Sequence, residues 1–141
     1  MPELREIVVA GHVCVDIATS LSSVSGIRPG ALVEVGRAGW SLGGAVANTG
    51  GALMELGVPI RIAGAIADDE LGGTLRRYLE AQGMPLAELQ TSAAAGTSYS
   101  IVLQSEGVDR TFLHYPGVNA FFDPHAVDVT GASIVHFAYP S

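Results

Sequence analysis

Two near-continuous apolar runs, EIVVAGHV at residues 6–13 and PIRIAGAIA at residues 59–67, flank a stretch of helical period. Short runs without polar alternation are typical of strands buried on both faces, which occur in parallel sheets covered by helices. The expected fold class is therefore α/β, a sheet flanked by helices. At 141 residues the chain is long enough to bury a real core.

Between these runs the order of elements can be read in outline. The first strand is followed by a looser segment ending in SGIRPG, a turn signal. ALVEVGRAGW, residues 31–40, alternates in strand fashion and reads as a small exposed hairpin outside the main sheet. SLGGAVANTGGALMELG, residues 41–57, has helical period and should stop near Gly57 and Pro59. With a start near Gly44, the stripe of Ala45, Thr49, Ala52 and Leu56, with Val46 and Leu53 beside it, is the expected core face. Asp68 is placed to cap a second helix that turns Leu71, Leu75, Tyr78 and Leu79 inward and ends at Gly83. TSYSIVLQSEGVDRTFLHY predicts two strands about a turn at Glu106 and Gly107, and a short helical turn should follow Pro124. SIVHFAY reads as a last apolar strand with nothing after it to cover it, so the fold is expected to be cut short.

Several function classes are excluded by composition. Fourteen acids face seven basic residues, all arginine, for a net charge of −7. Without a basic face, nucleic acid is not an expected partner. Cys14 is the single cysteine, which excludes an internal disulfide and a cysteine-built zinc site and fits a reducing, cytoplasmic setting. No basic segment precedes a long apolar run at the N-terminus, and the long uncharged run at residues 38–54 is studded with glycine; neither a signal peptide nor a membrane span is expected. His12, His114, His125 and His136 lack metal-ligand spacing, and no metal site is expected. Ser98 and Ser100 sit in a strand pattern without a nucleophile elbow, which argues against a hydrolase.

The glycine pairs of the first helix carry the functional question. An interior glycine costs about 1 kcal/mol against alanine, so a pair needs a return from packing or from ligand approach. Gly43 and Gly44 fall at the helix N-terminus, where free N–H groups and the positive end of the dipole point outward. Asn48, one turn in, offers a donor and an acceptor to the same place, a mixture that suits sugar hydroxyls. A second account serves equally on spacing: Gly43 and Gly44 make a strand-to-helix turn, while Gly50 and Gly51 allow close helix–sheet packing.

The string GGAVAN followed by ALMELG resembles the first signature of the ribokinase-like, PfkB family of carbohydrate kinases. In the same order, VVAGHVCVD is similar to the family's first strand with its aspartate, AGAIADDELGGTLRRYLEAQGM to its strand, Asp-Asp turn and helix, and TSYSIVLQSEGVDRTFLHYPGVNA to its hairpin and Gly-x-Asn-Ala turn. The resemblance spans essentially residues 1–141 and implies a ribokinase-like sheet with a small β lid at about residues 17–41 and 97–115. It implies that Asp16, Gly43, Gly44 and Asn48 hold acceptor hydroxyls, with Asn119 approaching them, and that Asp68 and Asp69 cap a helix. It further implies phosphorylation of a small sugar, sugar acid or nucleoside, ATP and Mg2+ as cofactors, and a homodimer through the lid.

Two departures bear on the acceptor. Cys14 stands where many relatives have asparagine, and Ala45 where several carry lysine. A sugar phosphate would want a cation there, so an unphosphorylated acceptor is expected unless an arginine such as Arg28 compensates. The family's catalytic base is the last aspartate of a C-terminal Asp-Thr-x-Gly-Ala-Gly-Asp motif; here DVTGAS, residues 128–133, is followed by Ile134, and no acid occurs after Asp128. No catalytic residue is therefore assigned, the ATP-binding half is expected to be missing, and the chain alone is expected to be inactive. The other reading open at this point is a noncatalytic sugar-binding or dimerisation module.

Overall fold

In the computed structural model, which describes residues 5–138, the two apolar runs form β1 (Ile7–Gly11) and β4 (Ile60–Ile66), parallel neighbours with Val9 opposite Ile62. β5 (Glu88–Thr91) and β8 (Ile134–Ala138) extend this sheet to the order β5-β4-β1-β8, parallel throughout. α1 (Gly44–Glu55) and α2 (Glu70–Ala81) supply the helices.

Side-chain size along β4 sorts its two faces. Ile60, Ile62 and Ile66 point to one side, where they pack with Val46 of α1 and Leu75 and Leu79 of α2. Ala63 and Ala65 point to the other, where Val118 and Phe122, from the 3-10 turn at Gly117–Phe121, lie against them. Each large side chain fully buried there contributes about 1.5–3 kcal/mol. Small residues on the second face let a turn of backbone approach where no helix lies.

A second four-stranded sheet has the order β3-β2-β6-β7. β2 (Cys14–Ser20) follows β1 almost directly, pairs antiparallel with β3 (Gly39–Gly43) and parallel with β6 (Tyr99–Gln104), and β6 pairs antiparallel with β7 (Thr111–Tyr115). The chain thus leaves the first sheet at His12 and Val13 and enters the second at once.

Several expectations need correction. The expected hairpin at residues 31–40 is absent: residues 31–38 form no strand, because Leu32 and Val35 lie in solvent and nothing buries an alternate face. Strand pairing instead occurs between β2, read from sequence as a loose segment, and β3. The core face of α1 is Val46, Ala47 and Gly50, with Leu53 and Met54 half-buried, while Leu56 is 75% exposed. A Cβ at Gly50 would sit 3.4 Å from Ile62 and 3.5 Å from Ile60, so the helix settles on its glycine rather than on its most apolar stripe. Tyr78 of α2 is 41% exposed, and the cap of that helix is Asp69, not Asp68. β5 has only four residues and no period to announce it.

Asp69 does more than cap. One carboxylate oxygen accepts from the Gly72 N–H at 2.7 Å and the Thr97 hydroxyl at 2.7 Å; the other accepts from the Thr97 N–H at 2.9 Å. The Thr97 hydroxyl in turn accepts from the Ala67 N–H at 3.0 Å, so the end of β4, the start of α2 and the approach to β6 are joined. Burial alone would raise this carboxyl's pKa, but the bonds from Thr97 and Gly72 outweigh it, and the net shift is downward. A depressed folded pKa gives stability that is complete above the unfolded value and lost as pH falls through the folded one. Asp69→Ala should therefore cost about 1–2 kcal/mol at neutral pH, the worth of a good cap. Urea unfolding of both proteins from pH 7 to pH 3 should show the gap closing at acid pH; a gap independent of pH would remove the carboxylate from this account.

Candidate functional site

The second sheet turns one row of polar side chains to one face. Asp16 lies opposite Ser41 of β3 and Ser100 of β6, and Ser100 opposite His114 of β7, so register places these residues side by side. Cys14, two residues before Asp16, shares that face, as do Phe112 and Arg110, spaced by two before His114. These side chains, with His12, Gly44 and Asn48, line a cavity of about 410 Å³.

Gly43 and Gly44 bring the start of α1 to the edge of this cavity. Gly43 is the N-cap, and a Cβ there would stand 2.4 Å from an Asp16 carboxylate oxygen. Gly44 has φ +86°, a conformation that L side chains rarely adopt, and its Cβ would stand 2.3 Å from the His12 carbonyl oxygen. The glycine pair is what lets a carboxylate and a helix N-terminus share one place. No side chain caps α1, and one early donor, the Val46 N–H, goes to the His12 carbonyl at 3.1 Å. The Asn48 amide has no hydrogen-bond partner among the described residues and is exposed.

Behind this surface burial favours the uncharged forms of Cys14 and His12. The buried Cys14 thiol donates to Asp16 at 3.4 Å, and burial, together with the Asp16 charge, pushes its pKa up to about 12. It is a thiol, not a nucleophile. His12 is 8% exposed; burial, then the neighbouring His114, lowers its pKa, with Asp16 partly opposing, which favours the neutral ring. His114 stands with its ring centroid 5.1 Å from that of His12, and its Nδ1 is 3.0 Å from the Ser100 hydroxyl.

Of the expected site residues, Asp16, Gly43, Gly44 and Asn48 come together here. Asn119 does not. It is fully buried, its Oδ1 accepts from the Val13 N–H at 3.3 Å and its Nδ2 donates to the Val13 carbonyl at 2.9 Å, so its amide holds the link between β1 and β2. It positions the strand that carries Asp16 and, fully buried, is not among the residues that line the cavity. His12, Ser100, Arg110, Phe112 and His114 were not singled out from sequence as site residues. The alternation of Arg110, Phe112 and His114 was the available signal, but local pattern alone does not say what faces it.

A larger cavity, about 580 Å³, lies along α1 towards the end of α2, lined by residues including Ala52, Glu55, Gln82 and Met84. It borders Asn48 but lacks the strand-borne polar row. Among the described residues no three His, Cys, Asp or Glu side chains are grouped to hold a metal, and no helix is long and apolar enough to cross a membrane.

Comparison with known proteins agrees with this architecture. The chain is 29% identical over 130 residues to an ATP-dependent ribose-1-phosphate kinase of Halopiger xanaduensis, covering 90% of this chain and 43% of that protein. In fold it is similar to the nucleoside kinase of Methanocaldococcus jannaschii (TM-score 0.80, 20% identity, 99% of this chain and 46% of that one). It is likewise similar to the ribokinase of Cryptococcus neoformans var. grubii serotype A, solved with ADP (TM-score 0.77, 20% identity, 94% and 42%). The chain thus spans less than half the length of these relatives. Residues 4–139 match the pfkB family carbohydrate kinase pattern, and with a glycine-capped α1 between a parallel sheet and a small second sheet, the chain belongs to that family.

Proposed function

We propose that this chain is the acceptor-binding part of an ATP-dependent kinase that phosphorylates a hydroxyl of a small sugar or nucleoside. The observation that carries the reading is the Asp16 carboxylate held over Gly43 at the start of α1, in a cavity of about 410 Å³. A carboxylate accepts from two hydroxyls and so orients a polyol strongly. Asn48 supplies a donor and an acceptor beside it, and the unfilled N–H groups of α1 add further donors. The second sheet, with its neighbouring segments at about residues 17–41 and 97–115, serves as the lid whose closure excludes water. Exposed Trp40, Leu113 and Tyr115 support a homodimer through that sheet.

The groups for ATP and Mg2+ do not fit residues present here. Among the described residues there is no metal cluster, and the sequence has no phosphate loop and no acid after Asp128. We assign the base and the nucleotide contacts to protein beyond these residues, and the 141-residue chain alone to a binding, inactive state. β8, at the end of the sheet order with Ile134 56% and Val135 47% exposed, is the edge on which such protein would add. A noncatalytic sugar-binding or dimerisation module is the second reading, supported by the lack of an acid after Asp128 to serve as base. Ala45 puts no cation at the start of α1, the ground for an unphosphorylated acceptor; the opposite wall of the cavity is not so bare.

The test is titration calorimetry of the chain with pentoses, hexoses and nucleosides, alongside ADP release from Mg-ATP. Binding without ADP release is expected from the chain alone, and ADP release once the remaining half of a relative is supplied in trans or fused. Binding that never leads to turnover in either form favours the module. If no acceptor binds, the site assignment falls.

A further inference from the structure

We propose that the lid wall of this cavity, Arg110 with His114 and Ser100, recognises an oxyanion on the acceptor, a phosphate monoester or a carboxylate. The inference rests on the acceptor-site reading of the cleft and departs from the expectation of an unphosphorylated substrate.

Strand geometry places the wall. Arg110, Phe112 and His114 alternate onto the face that carries Asp16 and Ser100, and all five line the same cavity. Asp16 and His114 lie on strands two apart, about 10 Å between backbones at the usual inter-strand spacing. A pentose held at Asp16 by its hydroxyls reaches that distance with one phosphate or carboxylate arm.

Chemistry separates the two ends. The Arg110 guanidinium lies 5.3 Å from the centroid of the Phe112 ring, which fixes it at the cavity edge. It makes no salt bridge among the described residues, although the protein has twice as many acids as arginines. Its neighbour Asp109 turns its carboxylate to the Arg110 backbone N–H, at 2.8 Å, rather than to its side chain. With Nδ1 of His114 engaged by the Ser100 hydroxyl, Nε2 is the ring nitrogen without a partner among the described residues. When the Ser100 hydroxyl donates, that Nε2 carries hydrogen and is a donor.

His12, nine-tenths buried beside this pair, has an Nδ1 without a hydrogen-bond partner among the described residues. Arg110 therefore presents donors and a positive charge, and His114 a ring N–H, with no acceptor of their own among the described residues. A neutral polyol satisfies such a wall poorly, whereas an oxyanion accepts from both. Among the described residues Asp16 is the one carboxylate lining the cavity, and it serves the hydroxyl end.

Titration calorimetry of the chain with D-ribose, D-ribose 1-phosphate, D-ribose 5-phosphate and D-gluconate tests this directly. At least one anionic ligand should bind about tenfold or more tighter than ribose, the worth of one charge-assisted contact. The phosphate and carboxylate arms show which oxyanion it is. Arg110→Met should abolish that preference, read as the ratio of anion to ribose affinity in the variant against the same ratio in the parent. Equal affinity for ribose and every anion, or a preference that survives Arg110→Met, overturns the inference. Should ribose bind and Asp16→Ala weaken it without any anion preference, the acceptor site stands and this inference alone falls. Should nothing bind, both fall.

Discussion

Gly44→Ala should destabilise the fold by about 3–5 kcal/mol, from left-handed strain of about 1–3 kcal/mol and a steric displacement of similar size. Both terms come from one position. The backbone there has φ +86°, and the new methyl would lie 2.3 Å from the His12 carbonyl oxygen, which cannot move without shifting the end of β1. Against a total stability of about 5–15 kcal/mol this is a large fraction. Gly51→Ala is the matched control. Its methyl would meet only the flexible Met84 tip, at 3.5 Å, so the helix-propensity gain of about 1 kcal/mol should survive. Urea unfolding of the two variants should move in opposite directions. A Gly44→Ala protein within about 0.5 kcal/mol of the parent would mean that α1 does not start as described.

Asp16→Ala should weaken acceptor binding about 100- to 1000-fold, the loss of two hydroxyl bonds to a charge at about 1.5–3 kcal/mol each, less solvent replacement. Stability should barely change, because the protein's own contact to this carboxylate is the weak Cys14 thiol at 3.4 Å. Asp16→Asn, which keeps the shape and loses the charge, should fall between. Gly43→Ala should reproduce much of the binding defect by displacing the same carboxylate from its place over the helix start. Calorimetry with the best-binding acceptor, beside thermal unfolding, separates the outcomes: a parallel loss of stability and affinity would make Asp16 structural.

Much of the fold was legible in local pattern. The runs of β1 and β4, the helices between and after them, the stops at Gly57 and Gly83, and the strands about Glu106 and Gly107 all lie where period and turn chemistry put them. β2 and β5 were not legible, and the expected strand at residues 31–38 did not form. Strand character in the second sheet depends on partners rather than on the segment's own alternation.

The site divides in the same way. The sequence by itself determined the glycine pair at the helix start, the aspartate after the first strand and the amide one turn into α1, since each belongs to a contiguous motif. Tertiary structure alone decided that Asn119 is buried against Val13, 106 residues away, and that Arg110 and His114 face Asp16 across three strands. Period tells which residues share a face; register between distant strands tells what that face meets. The first is a property of the local backbone, and the second exists only once the sheets have closed.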